Sequence, residues 1–244
     1  MRGTTESTEM TDKSPCHAIV IASGGLDSTT VAYWLADRGA ILTMLSFDYG
    51  QRHRTELQYA GRIAGHLGAS HEVVDLSGLG RLLTGSALTD LGVRVPDGHY
   101  TAETMRSTVV PNRNTIMLSV AVAGAVATGA DAVAFGAHSG DHAIYPDCRA
   151  SFFDQFAAMT REGNEGFLAD GFELLAPFIG LTKADIVEIG RQLGVPFEDT
   201  WSCYKGGQVH CGTCGTCTER IEAFALAGVS DPTVYASATP GAAS

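Results

Sequence analysis

The stretch HAIVIASGGLDSTTVAYWLADRG, residues 17–39, decides how this chain folds. It opens with a short apolar, β-branched run at 17–22, of the kind that suits a parallel strand buried on both faces. SGGLDS follows at 23–28, and residues 29–37 carry a helical pattern closed by Gly39. Strand, glycine turn and helix in that order open a βα unit. Glycines at the turn let backbone N–H groups come close to a ligand, and the helix start adds partial positive charge. The hydroxyls of Ser23, Ser28 and Thr29 supply further donors. An ordinary βα turn would use Gly24 and Gly25 for geometry alone and Asp27 as a helix cap. The convergence of all these features at one strand end favours phosphate binding instead. Two common phosphate loops do not fit: GxxxxGK[ST] needs a lysine that is absent here, and GxGxxG needs a different glycine spacing.

Outward from this unit, apolar runs at 41–47 and 71–76 read as strands, and 54–67 reads as a helix stopped by Gly68. Residues 77–111 are irregular enough to form a long functional excursion. Residues 114–128 are the most strongly helical apolar segment, with Met117, Val120 and Ala121 assigned to the core. A strand at 131–137 and a polar loop at 138–150 come next. They are followed by a helix at 151–160, a strand at 172–176, a helix at 183–193 and a last helix at 219–226. This alternation predicts an α/β, Rossmann-like fold: a doubly wound parallel sheet whose site lies at the carboxyl edge. The domain reading is a flexible tail at 1–16, a nucleotide-binding α/β domain at 17–199, a metal-binding segment with a terminal helix at 200–228, and a second tail at 229–244.

The 244 residues are 45% hydrophobic, enough to bury a sizeable core, with 16 basic against 27 acidic side chains and a net charge of −11. Such a field repels phosphate backbones and argues against direct nucleic-acid binding through a broad basic face. No run approaches the ~20 apolar residues that span a bilayer, and the polar opening lacks the apolar core of a signal peptide. The expectation is a soluble, cytoplasmic protein. Cys203, Cys211, Cys214 and Cys217 crowd together, while Cys16 and Cys148 stand apart. Clustered thiols in a large chain with no export signal read as metal ligands. Four thiolates can close a tetrahedral shell around a structural zinc. The same ligands could hold an iron–sulfur cluster, and Cys214 with Cys217 could form a redox dithiol. Zinc is preferred because a closed four-cysteine set is its commonest structural site.

SGGLDS resembles the signature of the PP-loop ATP pyrophosphatases (adenine nucleotide alpha hydrolase-like proteins), which cleave ATP between the α and β phosphates and adenylate a substrate oxygen. Further segments join it: FDYGQRH at 47–53, VPNRN at 110–114, YPDCR at 145–149, LTKAD at 181–185 and TWSCY at 200–204. In this order, over about residues 17–228, they are similar to the 7-cyano-7-deazaguanine synthase family of queuosine biosynthesis. The resemblance implies a ligase that takes 7-carboxy-7-deazaguanine, ATP and ammonia to the nitrile through adenylated acid and amide, releasing AMP and pyrophosphate.

It places ATP on residues 22–32 (Ala22, Ser23, Gly24, Gly25, Leu26, Asp27, Ser28, Thr29, Thr30, Val31 and Ala32), with Ser23, Asp27, Ser28 and Lys183 catalytic and Mg2+ accompanying the nucleotide near Asp27. Arg113, Asn114, Asp147 and Arg149 are the candidates for the deazaguanine and its carboxylate, each weighed against a structural ion pair or loop anchor. Cys203, Cys211, Cys214 and Cys217 are the zinc ligands, and a homodimer is compatible with the family. His53 reads as a surface or loop-anchoring residue and Cys148 as a packed thiol. One departure is Asn112, where many members carry glycine, which bears on fine substrate specificity. A tRNA-thiolation enzyme would share the loop and the cysteines but would need a tRNA surface that the charge opposes. A glutaminase has no room, an interaction module leaves SGGLDS idle, and a relative serving a different amine acceptor is not separable by sequence.

Overall fold

The computed structural model describes residues 15–99, 105–142 and 145–236; most of the first expected tail and residues 237–244 of the second lie outside them. Strand β1 (His17–Ile21) leads through helix α1 (Leu26–Asp37) to β2 (Ile41–Asp48), α2 (Thr55–Leu67) and β3 (Ser70–Asp75). After the short α3 (Ser77–Gly80) come α4 (Arg113–Thr128), β4 (Ala132–Ala134) and α5 (Ala150–Gly163). β5 (Glu173–Leu175), α6 (Lys183–Gln192) and α7 (Gly215–Ala227) complete the chain. All four strand pairings are parallel, in the order β3-β2-β1-β4-β5. The chain winds outward from β1 to β3, then returns to lay β4 on the other side of β1. That reversal opens a crevice beyond the carboxyl ends of β1 and β4, where open α/β sheets bind ligands.

The period of two along each strand divides the core between the two faces of the sheet. Ala18 and Val20 of β1, Met44 of β2 and Ala134 of β4 point to one face, packed by Val31 and Leu35 of α1, Ile63 of α2, Ile186 of α6 and Phe224 of α7. Ile19, Ile21, Phe47 and Val133 point to the other, under Leu118 and Val122 of α4 and Phe156 of α5. Because Phe224 and Ala223 share the first cluster with α1 and α6, the cysteine-bearing segment is built onto the sheet's own core. No helix among the described residues is long and apolar enough to cross a membrane.

Several boundaries differ from the sequence expectation. Helix α1 begins at Leu26, not Thr29, so Asp27 and Ser28 lie in its first turn, and the N-cap is Gly25 with no side-chain cap. Helix α7 begins at Gly215, directly after Cys214, which places Cys217 in its first turn. Residues 231–236 are docked, against the expected tail from 229. Asp231 accepts from the buried Arg220 Nε at 3.2 Å, and Ala236 N donates to His210 O at 2.7 Å. Small and polar composition reads as a tail only until a buried cation needs a carboxylate.

Candidate active site and cysteine cluster

The SGGLDS loop leaves β1 and turns sharply into α1. Gly24 has φ +72°, and a Cβ there would lie 2.3 Å from Glu56 O on α2, so this position accepts only glycine. Its carbonyl accepts from Trp201 N at 2.8 Å, which fastens the loop to the segment entering the cysteines. Gly25 has an ordinary φ, and its Cβ would approach only Ser23 Oγ and Trp201 O, at 3.2 and 3.5 Å. Ser28 Oγ accepts from Ser23 N at 3.2 Å and donates to Gly25 O at 3.3 Å, holding the loop in shape. Just beyond β4, Gly136 packs so closely that an added Cβ would sit 3.0 Å from Ser28 N. Ala22, Ser23, Gly25, Leu26, Asp27 and Ser28 line the cleft. Gly24, Thr29, Thr30, Val31 and Ala32 do not, because α1 starts early and turns residues 29–32 toward the buried interior.

Beside the loop lies a charged cluster. Lys183, the first residue of α6, donates to Glu219 Oε2 at 2.6 Å and sits 3.4 Å from Asp27 Oδ2. Thr182 and Asp185 form a capping box that fixes this helix start. Burial on its own would lower Lys183, but Asp27, Glu219 and Asp141 outweigh it and hold the ammonium above its ordinary range. Asp141 is pushed up by burial. His138 accepts from Gly140 N at its Nδ1, which turns Nε2 toward Asp141 at 3.5 Å. Asp27 Oδ1 is buried with no hydrogen-bond partner among the described residues. An orphaned carboxylate oxygen beside two further carboxylates fits a hard divalent cation. His138, Asp141 and Glu219 were missed in the sequence; the first two follow a strand end at the switch point, which is the signal that could have found them.

The far wall is aromatic. Arg113, at the start of α4, faces the phenols of Tyr49, Tyr204 and Tyr145. Burial opposes its charge, but these oxygens outweigh the penalty and hold it well above its ordinary value. Burial raises Tyr49 to about 12. Asn114 also lines the cleft, its Nδ2 donating to Cys148 Sγ at 3.2 Å. Burial pushes the Cys148 thiol up, which makes it a poor nucleophile. The other two substrate candidates are elsewhere. Asp147 Oδ2 accepts from Asn114 N at 3.2 Å and so caps α4, and the exposed Arg149 donates from Nε to His142 O at 2.8 Å. Neither lines the cleft. His53 is not a surface residue: it is 2% exposed, lines the cleft, and has Nε2 3.2 Å from Glu56 Oε2.

The four clustered cysteines bring their sulfurs within 4.8 Å of one another. Cys203 Sγ accepts from Cys211 N at 3.4 Å, and Cys211 Sγ accepts from Cys214 N at 3.2 Å and Thr213 N at 3.4 Å. Such N–H bonds stabilise thiolates and orient metal ligands. Hydrogen bonds shared among Cys203, Cys214 and Cys217 draw Cys214 below the ordinary thiol range and push the other two above it. Trp201 Nε1 donates to Cys203 O at 2.8 Å, and the Trp201 indole packs on Tyr59 and His210.

The family model of queuosine biosynthesis protein QueC matches residues 17–228. The 7-cyano-7-deazaguanine synthases of Rhizobium johnstonii and Paracoccus denitrificans are each 56% identical over 217 residues, covering 89% of this chain and 91% and 92% of theirs. That of Rhizobium meliloti is 58% identical over the same length. Among solved structures, the U34-tRNA thiolase NcsA from Methanococcus maripaludis with its [4Fe-4S] cluster shares the fold. Its TM-score is 0.50 at 14% identity, over 88% of this chain and 66% of the thiolase. With glycine loop, switch-point cleft and four-cysteine cluster all inside the matched span, the chain belongs to the QueC family of queuosine biosynthesis proteins.

Proposed function

We propose that this chain is an ATP-dependent ligase that converts 7-carboxy-7-deazaguanine and ammonia to 7-cyano-7-deazaguanine. The observation that carries the reading is a single cleft holding both an uncapped helix start behind a glycine loop and a half-buried guanidinium with no carboxylate partner among the described residues. The first suits the phosphates of ATP. The second suits a substrate carboxylate, which Arg113 would grip as a planar fork. A carboxylate has no good leaving group, so an oxygen must first be adenylated. In this reading Ser23, Gly25 and Ser28 hold the pyrophosphate end, and Asp27 with Asp141 and Glu219 would hold magnesium. When bound, that ion would neutralise charge on the phosphate oxygens. Lys183 keeps its proton and offsets charge on the leaving pyrophosphate. Asn114 lies beside the bound base, while Asp147 and Arg149 shape the loop.

The cysteines take zinc in the same reading. Four thiolates at ~2.3 Å from one ion lie about 3.8 Å apart in a tetrahedron, and Cys211 Sγ and Cys217 Sγ are 3.9 Å apart. A four-iron cube would interpose iron and sulfide between the thiolates and spread them wider. The zinc is structural, with no open position. Mass spectrometry of the product from carboxydeazaguanine, ATP and ammonium tests the function: the nitrile is expected. Turnover of ATP with the deazapurine joined only to some other added amine would instead support a relative with a different acceptor.

A further inference from the structure

His53 closes the segment FDYGQRH that follows β2, and it is pinned from one side only. Its Nε2 faces Glu56 Oε2 at 3.2 Å. Glu56 Oε1 accepts from Gln51 Nε2 at 3.0 Å. Gln51 is fixed in turn, accepting from Tyr49 N at 2.9 Å and donating to Phe47 O at 2.8 Å. A carboxylate only accepts, so the neutral imidazole carries its proton on Nε2 and leaves Nδ1 as a bare lone pair. Nδ1 is buried and has no partner among the described residues. A buried acceptor left without a donor is uncommon and calls for a function. The ring walls the same cleft and packs on Tyr204 with centroids 5.0 Å apart, and Tyr204 also faces Arg113. Imidazole and guanidinium therefore lie on either side of Tyr204 in the wall of one cleft, the cleft in which Arg113 would hold a carboxylate.

We propose that His53 is the general base for both nitrogen steps, with Glu56 as its positioning residue; this rests on the nitrile-forming reading above. In the first step the ammonia nitrogen bonds to the carbon of the adenylated acid. The adduct gives an N–H proton to His53 Nδ1, and the C–O bond breaks to release AMP with its electron pair, leaving the amide. The proton then passes to solvent. In the second step the amide loses one N–H proton to solvent as its oxygen is adenylated, and the neutral imidate so formed gives its one remaining N–H proton to the same nitrogen. The C≡N bond forms as the C–O bond to AMP breaks. Neither step changes an oxidation state that would need an outside reductant.

The test separates nitrogen chemistry from adenylation. Exchange of labelled pyrophosphate into ATP, dependent on carboxydeazaguanine and run without ammonium, reports adenylation and correct folding. His53→Gln and Glu56→Gln should keep this exchange. Amide formation from ammonium should fall by about a hundredfold or more in His53→Gln, the scale of a lost general base, and by less in Glu56→Gln. Hydroxylamine is a stronger nucleophile whose adduct sheds its proton without help, so hydroxamate formation should hold in both variants. Should His53→Gln fail to fold, the smaller His53→Asn carries the same expectations. Wild-type amide rates in a folded His53 variant, or loss of exchange and hydroxamate together with the amide, would overturn the base assignment alone. No exchange in the wild-type protein would overturn the underlying reading and the proposal with it.

Discussion

Asn112 is the non-glycine residue with positive φ among the described residues, at φ 60° and ψ 17°. The position needs the left-handed region, which glycine enters freely and asparagine tolerates best, so the departure from the glycine that the resemblance leads one to expect has a backbone explanation. Asn112→Gly should therefore leave substrate KM within about twofold and stability within about 1 kcal/mol. Asn112→Val should cost about 1–2 kcal/mol, read by urea unfolding. A large KM change in Asn112→Gly would show that the side chain itself contacts substrate. The two loop glycines should separate in the same way. Gly24→Ala meets Glu56 O and a positive φ, so it should lower stability by about 1–3 kcal/mol or more. Gly25→Val has an ordinary φ and asks only that the Ser23 hydroxyl give by a few tenths of an ångström, but it places a branched side chain where the backbone would meet phosphate. It should lose ATP binding by calorimetry while keeping most of its melting temperature. Normal ATP affinity in Gly25→Val would make the loop a structural turn.

At the scale of elements, the strands and helices were legible because the apolar period changes from two to the helical one at glycines. What escaped was set by partners distant in sequence. Asp147 and Arg149 sit in a motif that looks like a ligand grip, yet one caps α4 and the other holds a loop carbonyl. The clamp after α7 was hidden for the same reason. The buried Arg220 donates to Thr200 Oγ1 at 2.6 Å and to Phe197 O at 2.9 Å, and takes Asp231 as its counterion. Burial would raise Asp231, but Arg220, Tyr235 and Thr233 hold it below its ordinary carboxylate range. A folded-state value depressed in this way stabilises the fold above about pH 4, and the gain is lost as pH falls through the folded value. Asp231→Asn should thus lower stability at pH 7 by about 1–2 kcal/mol, discounted for its partial exposure. The gap to wild type should narrow below about pH 4, as followed by melting temperature. A gap that is constant with pH would show that the charge is not what matters.

At the scale of the molecule, the cysteine segment and the glycine loop are mechanically one. Trp201 bonds to Gly24 and Cys203, and α7 packs into the sheet's core. Loss of the metal should therefore be felt at the nucleotide site. Cys211→Ala should lose bound zinc and several degrees of thermal stability together, because metal binding is coupled to folding; elemental analysis and melting curves check both. Full metal content would remove Cys211 from the ligand set. The central claim, that one cleft adenylates an acid and then an amide, is tested most directly by counting nucleotides against nitrile. Protein, carboxydeazaguanine and ATP are incubated with ¹⁵N-ammonium, and the products are separated by chromatography. Each oxygen removed needs its own leaving group, so two AMP per labelled nitrile, with labelled amide appearing in between, is the expected result. ADP as the main nucleotide product would contradict it.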